Sequence, residues 1–268
     1  MLFCTDLDGT LYSSDKTVSK QNLDAIEYFK SEGGLFTFIT GRTPATSKSI
    51  YDIVKPNAPY GCNNGGGIYD GEAKKYLFYA TLPTDVIELV RQVDKHLPGI
   101  AFEHDTEDGA CFNKYNPAML RYKEITGSPD NFCHFEKVKK PAEKIVFTDD
   151  DEEQILLLAE LLNSHPKANF FNFIRSERSL YEILPKEASK GNALLKMAEL
   201  FNIKIENTIA VGDYNNDISM VRAAGIGFAV ANAVKEVKDV ADYITVSNNE
   251  HAIAAIIEGL DKGTYKLK

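Results

Sequence analysis

Short apolar runs, each followed by an amphipathic helical pattern, recur at both ends of this 268-residue chain and constrain its fold more than any other feature. Leu2-Phe3-Cys4 reads as a buried strand. Ser19 can cap a helix in which Leu23, Ile26 and Phe29 fall near helical spacing, and Gly33-Gly34 end it. Residues 35–39 form a second apolar run, after which Thr40-Gly41-Arg42-Thr43-Pro44 opens a helix with proline near its first turn. Further on, Ser189 can cap a helix carrying Leu194, Leu195, Ala198 and Phe201. Residues 208–211, 226–230 and 243–246 then read as strands, with a helix over 218–224. Strand and helix in alternation predict an α/β fold, a parallel sheet covered by helices.

The middle reads differently. Helices over 86–96 and 152–163 sit among strand-like runs at 145–148, 168–174 and 180–184, which suggests an α+β module inserted into the parallel domain. The expected division is 1–80, 81–185 and 186–268, with Pro83 and Pro185 as hinges. Asp70-Gly71 suits a two-residue hairpin turn after Gly65-Gly66-Gly67 and Ile68-Tyr69.

Composition excludes several classes. With 39 acidic against 30 basic residues, a net charge of −9, the chain lacks the basic footprint that a phosphate backbone requires, so nucleic acid is not an expected partner. No apolar run approaches the roughly 20 residues that span a bilayer, and the longest, 155–162, is broken by Glu160. Few apolar residues and no basic region separate Met1 from Asp6, so this segment does not read as a signal peptide. Cys4, Cys62, Cys111 and Cys133 show no paired spacing and are expected as reduced thiols in a cytoplasmic protein.

Four segments carry chemistry, each where an apolar run ends, the edge at which open α/β sheets bind ligands. In Asp6-Leu7-Asp8-Gly9-Thr10-Leu11 two carboxylates two residues apart lie roughly 6–7 Å from each other along an extended chain, placed for two different jobs on one substrate. Thr40-Gly41-Arg42 offers a hydroxyl and main-chain N–H groups to an anion. Ser189-Lys190-Gly191 puts a cation in the first turn of a helix, where the dipole disfavours it and something anionic should compensate. Gly212-Asp213-Tyr214-Asn215-Asn216-Asp217 gathers hard oxygen ligands suited to Mg2+. Taken singly, each segment is also an ordinary turn, cap or polar loop. Together they bring up to four carboxylates to one place. Two unit charges about 4 Å apart repel by about 4 kcal/mol at an effective dielectric of about 20, so a divalent cation and Lys190 are needed to resolve the conflict. Such a site is built for phosphoryl transfer.

These motifs, with Asn64-Gly65-Gly66, resemble the haloacid dehalogenase (HAD) superfamily, and within it the Cof-type phosphatases. The resemblance implies a Rossmann-like core with an inserted α+β cap of the C2 type, which closes over the core and selects the substrate. It implies Asp6 as nucleophile, Asp8 as proton donor and acceptor, Thr40 as a phosphoryl contact and Lys190 as the cation that orients Asp6. Asp213 would ligate Mg2+ with Asp6 and the main-chain carbonyl of Asp8, and Asp217 would sit beside the metal. Asn216, Gly41, Arg42 and Asn64 are candidates for phosphate or substrate contacts, with Asn63 an alternative to Asn64.

The expected activity is a Mg2+-dependent phosphatase of small phosphorylated metabolites, above all sugar phosphates, working through an aspartyl-phosphate in the cytoplasm as a monomer or weak homodimer without a membrane partner. A phosphomutase using the same intermediate and a non-catalytic phosphate-sensing module are the alternatives. In the middle module, Glu103, His104, Asp105, Arg175 and Arg178 are polar candidates that more often form solvated faces. Lys137, Lys139, Lys140 and Lys144 read as an exposed strand or loop, and Phe102, Tyr115, Tyr122, Phe170, Phe171 and Phe173 as core.

Overall fold

Leu2, Phe3 and Cys4 are wholly buried, as residues of a strand covered on both faces must be. They belong to β1 (Leu2–Thr5) in a computed structural model that describes residues 1–138 and 140–265. The chain divides into two compact units, residues 1–78 with the chain from Ser189 onward, and Tyr79–Ala188. In the first unit β1 is followed by α1 (Lys20–Ser31), β2 (Leu35–Phe38), α2 (Pro44–Val54), β3 (Tyr60–Cys62), β4 (Gly67–Asp70) and β5 (Lys75–Tyr79). The second unit holds α3 (Val86–His96), β6 (Ala101–Thr106), β7 (Gly109–Phe112), α4 (Pro117–Thr126), β8 (Lys144–Thr148), α5 (Glu152–Asn163), β9 (Phe171–Glu177) and β10 (Leu180–Pro185). The first unit resumes with α6 (Lys190–Leu200), β11 (Thr208–Gly212), α7 (Ile218–Ala223), β12 (Ile226–Ala229), α8 (Lys235–Lys238), β13 (Tyr243–Ile244) and α9 (Ala252–Asp261).

Among the described residues the first unit has a five-stranded sheet in the order β13-β12-β11-β1-β2, every neighbouring pair parallel. A three-stranded sheet β3-β4-β5 accompanies it. One face packs Phe3, Phe36, Phe38, Val211 and Phe228 against Ile26, Ile253 and Ile256; the other packs Leu2, Cys4 and Ala210 against Leu194, Met197 and Met220. Burying one such large apolar side chain is worth about 1.5–3 kcal/mol. Helix starts follow local chemistry. The Ser19 and Ser189 hydroxyls accept from the Asn22 and Asn192 amides at 3.2 and 3.1 Å. At α2 the cap is Thr43, with Pro44 next, so Thr40 is left outside the helix.

The second unit is an antiparallel sheet, order β7-β6-β8-β10-β9. Phe102, Ile145, Phe147 and Ile183 pack with α3 and α5 through Leu89, Val93, Ile155 and Leu158. Neither β6, β7 nor α4 follows from the apolar runs that mark the other elements.

Several expectations are corrected. Pro185 is no hinge in a linker: it ends β10, in register with Phe171. Residues 71–74 separate β4 from β5, a longer turn than two residues, because Asp70 Oδ1 accepts from both the Glu72 and Ala73 amides. Cys111 and Cys133 form a disulfide, with Cα atoms 5.7 Å apart, while Cys4 and Cys62 are buried and lie outside it. The pairing follows from chain placement, since Phe112 N–H donates to the Asn131 carbonyl and Cys133 N–H to that of Phe112. Glu103, His104 and Asp105 are buried rather than solvated, while Arg175 and Arg178 reach Glu152. Lys144 is also buried, 3.4 Å from Asp105, 3.7 Å from Glu182 and 3.4 Å from the Tyr122 hydroxyl. Lys137 and Lys140 are exposed, and Lys139 lies outside the described residues. Phe170 is exposed, unlike Phe102 and Phe171. No helix of the described residues is long and apolar enough to cross a membrane.

Candidate active site

Three adjacent parallel strands end side by side, because β1 pairs with β2 on one side and β11 on the other. Asp6 follows β1, Thr40 follows β2 and its bridge at Ile39, and Asp213 follows β11. Parallel pairing therefore brings together residues more than 200 positions apart. Asp6 N–H donates to the Val211 carbonyl at 2.9 Å and Ile39 N–H to that of Thr5 at 2.9 Å, so the first residues beyond each strand keep the sheet's register.

Lys190 sits among the acids. Its ammonium donates to Asp6 Oδ1 and to Asp217 Oδ1, both at 2.6 Å, with its side chain 1% exposed. Burial opposes the charge, but Asp217 and Asp6 outweigh it and hold the ammonium above the ordinary lysine value. This is the anionic compensation that a lysine at a helix start requires. Asp217 Oδ2 accepts the Asp213 and Tyr214 amides at 2.9 and 3.1 Å, so both its oxygens have protein donors.

Ligand oxygens of Asp6, Asp213 and Asp217 all lie within 4.8 Å of one another, an arrangement that could hold a metal ion. Burial first, and then Asp217, push the Asp6 carboxyl up to about 7 against the pull of Lys190. Burial, then Asp6 and Asp217, push Asp213 up to about 8. Thr10 donates its hydroxyl to Asp213 Oδ1 at 2.8 Å. Gly9, at φ +84°, passes so close that a Cβ there would fall 2.4 Å from Asp213 Oδ2.

Asp8 is not in that acidic group. Arg42 grips it with two hydrogen bonds, Nε to Oδ2 and Nη2 to Oδ1, each 2.9 Å, and Lys16 Nζ reaches Oδ1 at 2.9 Å. Burial works against ionisation of Asp8, but Arg42 and Lys16 outweigh it and hold its carboxyl below the usual range.

The loop after β2 and the turn after β3 are joined to each other. Thr40 is buried, and its hydroxyl accepts the Arg42 amide at 3.2 Å. Asn63, Asn64 and Gly65 all take positive φ, and the turn is stitched to the first loop by Asn64 N–H to the Thr40 carbonyl and Asn63 N–H to that of Arg42. Asn64 Oδ1 accepts from Asn216 Nδ2 at 3.0 Å, joining the loop after β3 to the loop after β11. Gly41 lies against the same amide, since a Cβ there would meet Asn64 Nδ2 at 3.1 Å. Sequence reading did not single out Thr10 and Lys16, which the structure places against Asp213 and Asp8. Thr10 was in view as part of the first motif, whereas Lys16 carries no motif at all.

The chain from residue 3 to 257 matches the family model of haloacid dehalogenase-like hydrolases. The chain belongs to that family. Relatives from Bacillus subtilis (strain 168) include the 5-amino-6-(5-phospho-D-ribitylamino)uracil phosphatase YwtE, 30% identical over 97% of this chain and 98% of the relative. Phosphatase YwpJ from the same organism is 27% identical over 97% and 99%. Among solved structures, the HAD subclass IIB sugar phosphatase BT4131 superposes with a TM-score of 0.85 at 24% identity, over 97% of this chain and 98% of that one, and so shares the fold. The protein is a HAD-type phosphatase acting on phosphorylated substrates, with an α/β core and an inserted α+β cap unit.

Proposed function

We propose that this phosphatase hydrolyses small phosphorylated metabolites, sugar phosphates first among them, through an aspartyl-phosphate on Asp6 with Mg2+ as cofactor. The observation that carries the reading is the buried Lys190 ammonium shared by Asp6 and Asp217 beside Asp213. One cation cannot offset three neighbouring carboxylates, two of them buried, and the all-oxygen donor set fits Mg2+. Asp6, Asp213 and the Asp8 carbonyl would hold the ion directly. Asp217 would act through water, because Lys190 and two main-chain amides already occupy its oxygens. When bound, the ion would neutralise phosphoryl oxygens and lower the repulsion between substrate and nucleophile.

The protein's own groups then divide the work. An Asp6 carboxylate oxygen forms a bond to phosphorus as the ester P–O bond breaks, and Asp8 gives a proton to the departing oxygen. In the second step Asp8 takes a proton from water as that water attacks phosphorus, which releases inorganic phosphate and restores Asp6. Lys190 orients the nucleophile; Thr40 and the Gly41 amide donate to the phosphoryl oxygens, and Asn64 and Asn216 hold the loops that carry them. The relative's substrate, a phosphorylated ribitylamino compound by name, supports a phosphorylated polyol or sugar as the class.

Rapid acid quench during turnover, followed by mass spectrometry of peptides, tests the intermediate. A phosphoryl adduct on the peptide containing Asp6, absent in Asp6→Asn, is expected; turnover with no such adduct at the burst stage contradicts the covalent route.

A further inference from the structure

Lys16 holds a position that ordinary surface lysines do not. Its backbone is left-handed, at φ 59°, in a tight turn from Ser13 to Thr17. A residue other than glycine keeps that conformation only where its surroundings over-determine it. Here they do. Ser13 N–H donates to the Thr17 carbonyl at 3.0 Å and Lys16 N–H to that of Ser13 at 2.9 Å. The Ser13 hydroxyl bonds the Asp15 carboxylate and, at 2.8 Å, the Thr17 carbonyl, while the Thr17 hydroxyl donates to Asp15 at 2.8 Å. Asn249 ties Ser14 from outside, accepting its amide at 2.8 Å and donating to its hydroxyl at 2.9 Å.

The side chain is 49% exposed, and an isolated exposed ion pair is worth about 0–1 kcal/mol. This pair is not isolated, because its acceptor oxygen is shared with Arg42, whose side chain is only 12% exposed and lies over the Tyr12 ring at 5.5 Å. Arg42 arrives from the loop after β2 and Lys16 from the turn after β1. Two cations on separate segments thus fix one carboxylate.

We infer that Lys16 is a positioning residue for the proton step of phosphoryl transfer: with Arg42 it holds the Asp8 carboxyl group in one place and orientation. This rests on the phosphatase reading above. In that step the Asp8 O–H bond breaks, its proton joins the ester oxygen, the P–O ester bond breaks and an Asp6 oxygen bonds phosphorus. The products are an alcohol, an aspartyl-phosphate and the Asp8 carboxylate. A carboxyl group fixed from two separate segments meets the ester oxygen already oriented, so less order has to be gained in the transition state. Water returns the proton to Asp8 in the following hydrolysis.

Leaving-group dependence separates this role from a structural one. An alkoxide needs the proton as it departs, whereas p-nitrophenolate leaves without it. kcat/KM is measured with Mg2+ for p-nitrophenyl phosphate and for the best alkyl monoester of a sugar-phosphate panel, in wild type, Lys16→Met and Lys16→Arg. In Lys16→Met the alkyl-to-aryl ratio of kcat/KM is expected to fall about tenfold, a fraction of the 10²–10⁴ that a positioned acid supplies. Lys16→Arg restores most of the ratio. A ratio that stays unchanged or rises in Lys16→Met overturns the inference, as does failure of arginine to restore it. Absence of hydrolysis of both esters by the wild type is a different failure, since it removes the phosphatase reading and this inference with it.

Discussion

Lys190 is the side chain on which the charge balance of the site turns. Replacing it by methionine keeps the length but leaves Asp6 and Asp217 buried without their shared cation, and stranding buried charge in this way costs about 3–5 kcal/mol. Lys190→Met is therefore expected to lower the thermal midpoint and to reduce kcat by about 10²–10³. Thermal unfolding with parallel kinetics checks both, and kcat within a few-fold of wild type contradicts the role. Thr10 makes a milder case. Thr10→Val removes the hydroxyl that bonds Asp213 Oδ1 while keeping the shape. A hydrogen bond to a charged group is worth about 1.5–3 kcal/mol, so Mg2+ affinity measured by calorimetry is expected to fall at least tenfold; unchanged affinity would separate Thr10 from the metal site.

At the scale of elements, the turn of Asn63, Asn64 and Gly65 packs closely against the start of α6. Gly65 lies at φ +90°, and a Cβ there would sit 2.1 Å from the Ser189 carbonyl oxygen, immediately before Lys190. Gly65→Ala is expected to cost more than about 2 kcal/mol and to lower kcat by displacing Lys190. A variant as stable and active as wild type would show that the turn and α6 are independent. Strand β6 offers a pH test. His104, beside Phe102 and bonded to Asn113 at 2.7 Å, is pushed down to about 4 by burial. A histidine depressed in the folded state contributes stability above its ordinary value of about 6.5, and that contribution is lost as pH falls through about 4. Urea unfolding of wild type should lose on the order of 3 kcal/mol more than His104→Phe across that window; parallel curves would rule it out. The elements differ in how readable they were. β1, β2, β11 and β12 announced themselves because strands buried on both faces are unbroken apolar runs, and Ser19 and Ser189 marked helix starts by their capping chemistry. Helix α4 did not, since it buries only Ala118 and Met119 and exposes Leu120 and Ile125. The Cys111–Cys133 pair depends on which strand the segment near residue 132 joins, which spacing along the chain does not encode. The acids were legible because each ends an apolar run. Lys16 was not, because Ser13-Ser14-Asp15-Lys16-Thr17 reads like any solvated turn until Asp8 is seen at its tip.

At the scale of the whole molecule, a chain of net charge −9 concentrates three carboxylates and one buried lysine at the end of a parallel sheet. A cation that binds this folded arrangement and not the unfolded chain stabilises the protein by mass action, by about 2.7 kcal/mol at a hundred times its dissociation constant. Adding Mg2+ to chelator-treated protein is thus expected to raise the thermal midpoint in wild type and much less in Asp213→Asn; an equal rise in both would place the ion elsewhere. The central claim is that Asp6 is made a phosphoryl acceptor by its company of Lys190 and a divalent cation. Release of inorganic phosphate from a panel of sugar phosphates, with Mg2+, with chelator and with Asp6→Asn, tests it most directly. The account predicts release that depends on Mg2+, stops with chelator and is absent in Asp6→Asn; steady release by Asp6→Asn, or release indifferent to the chelator, would contradict it.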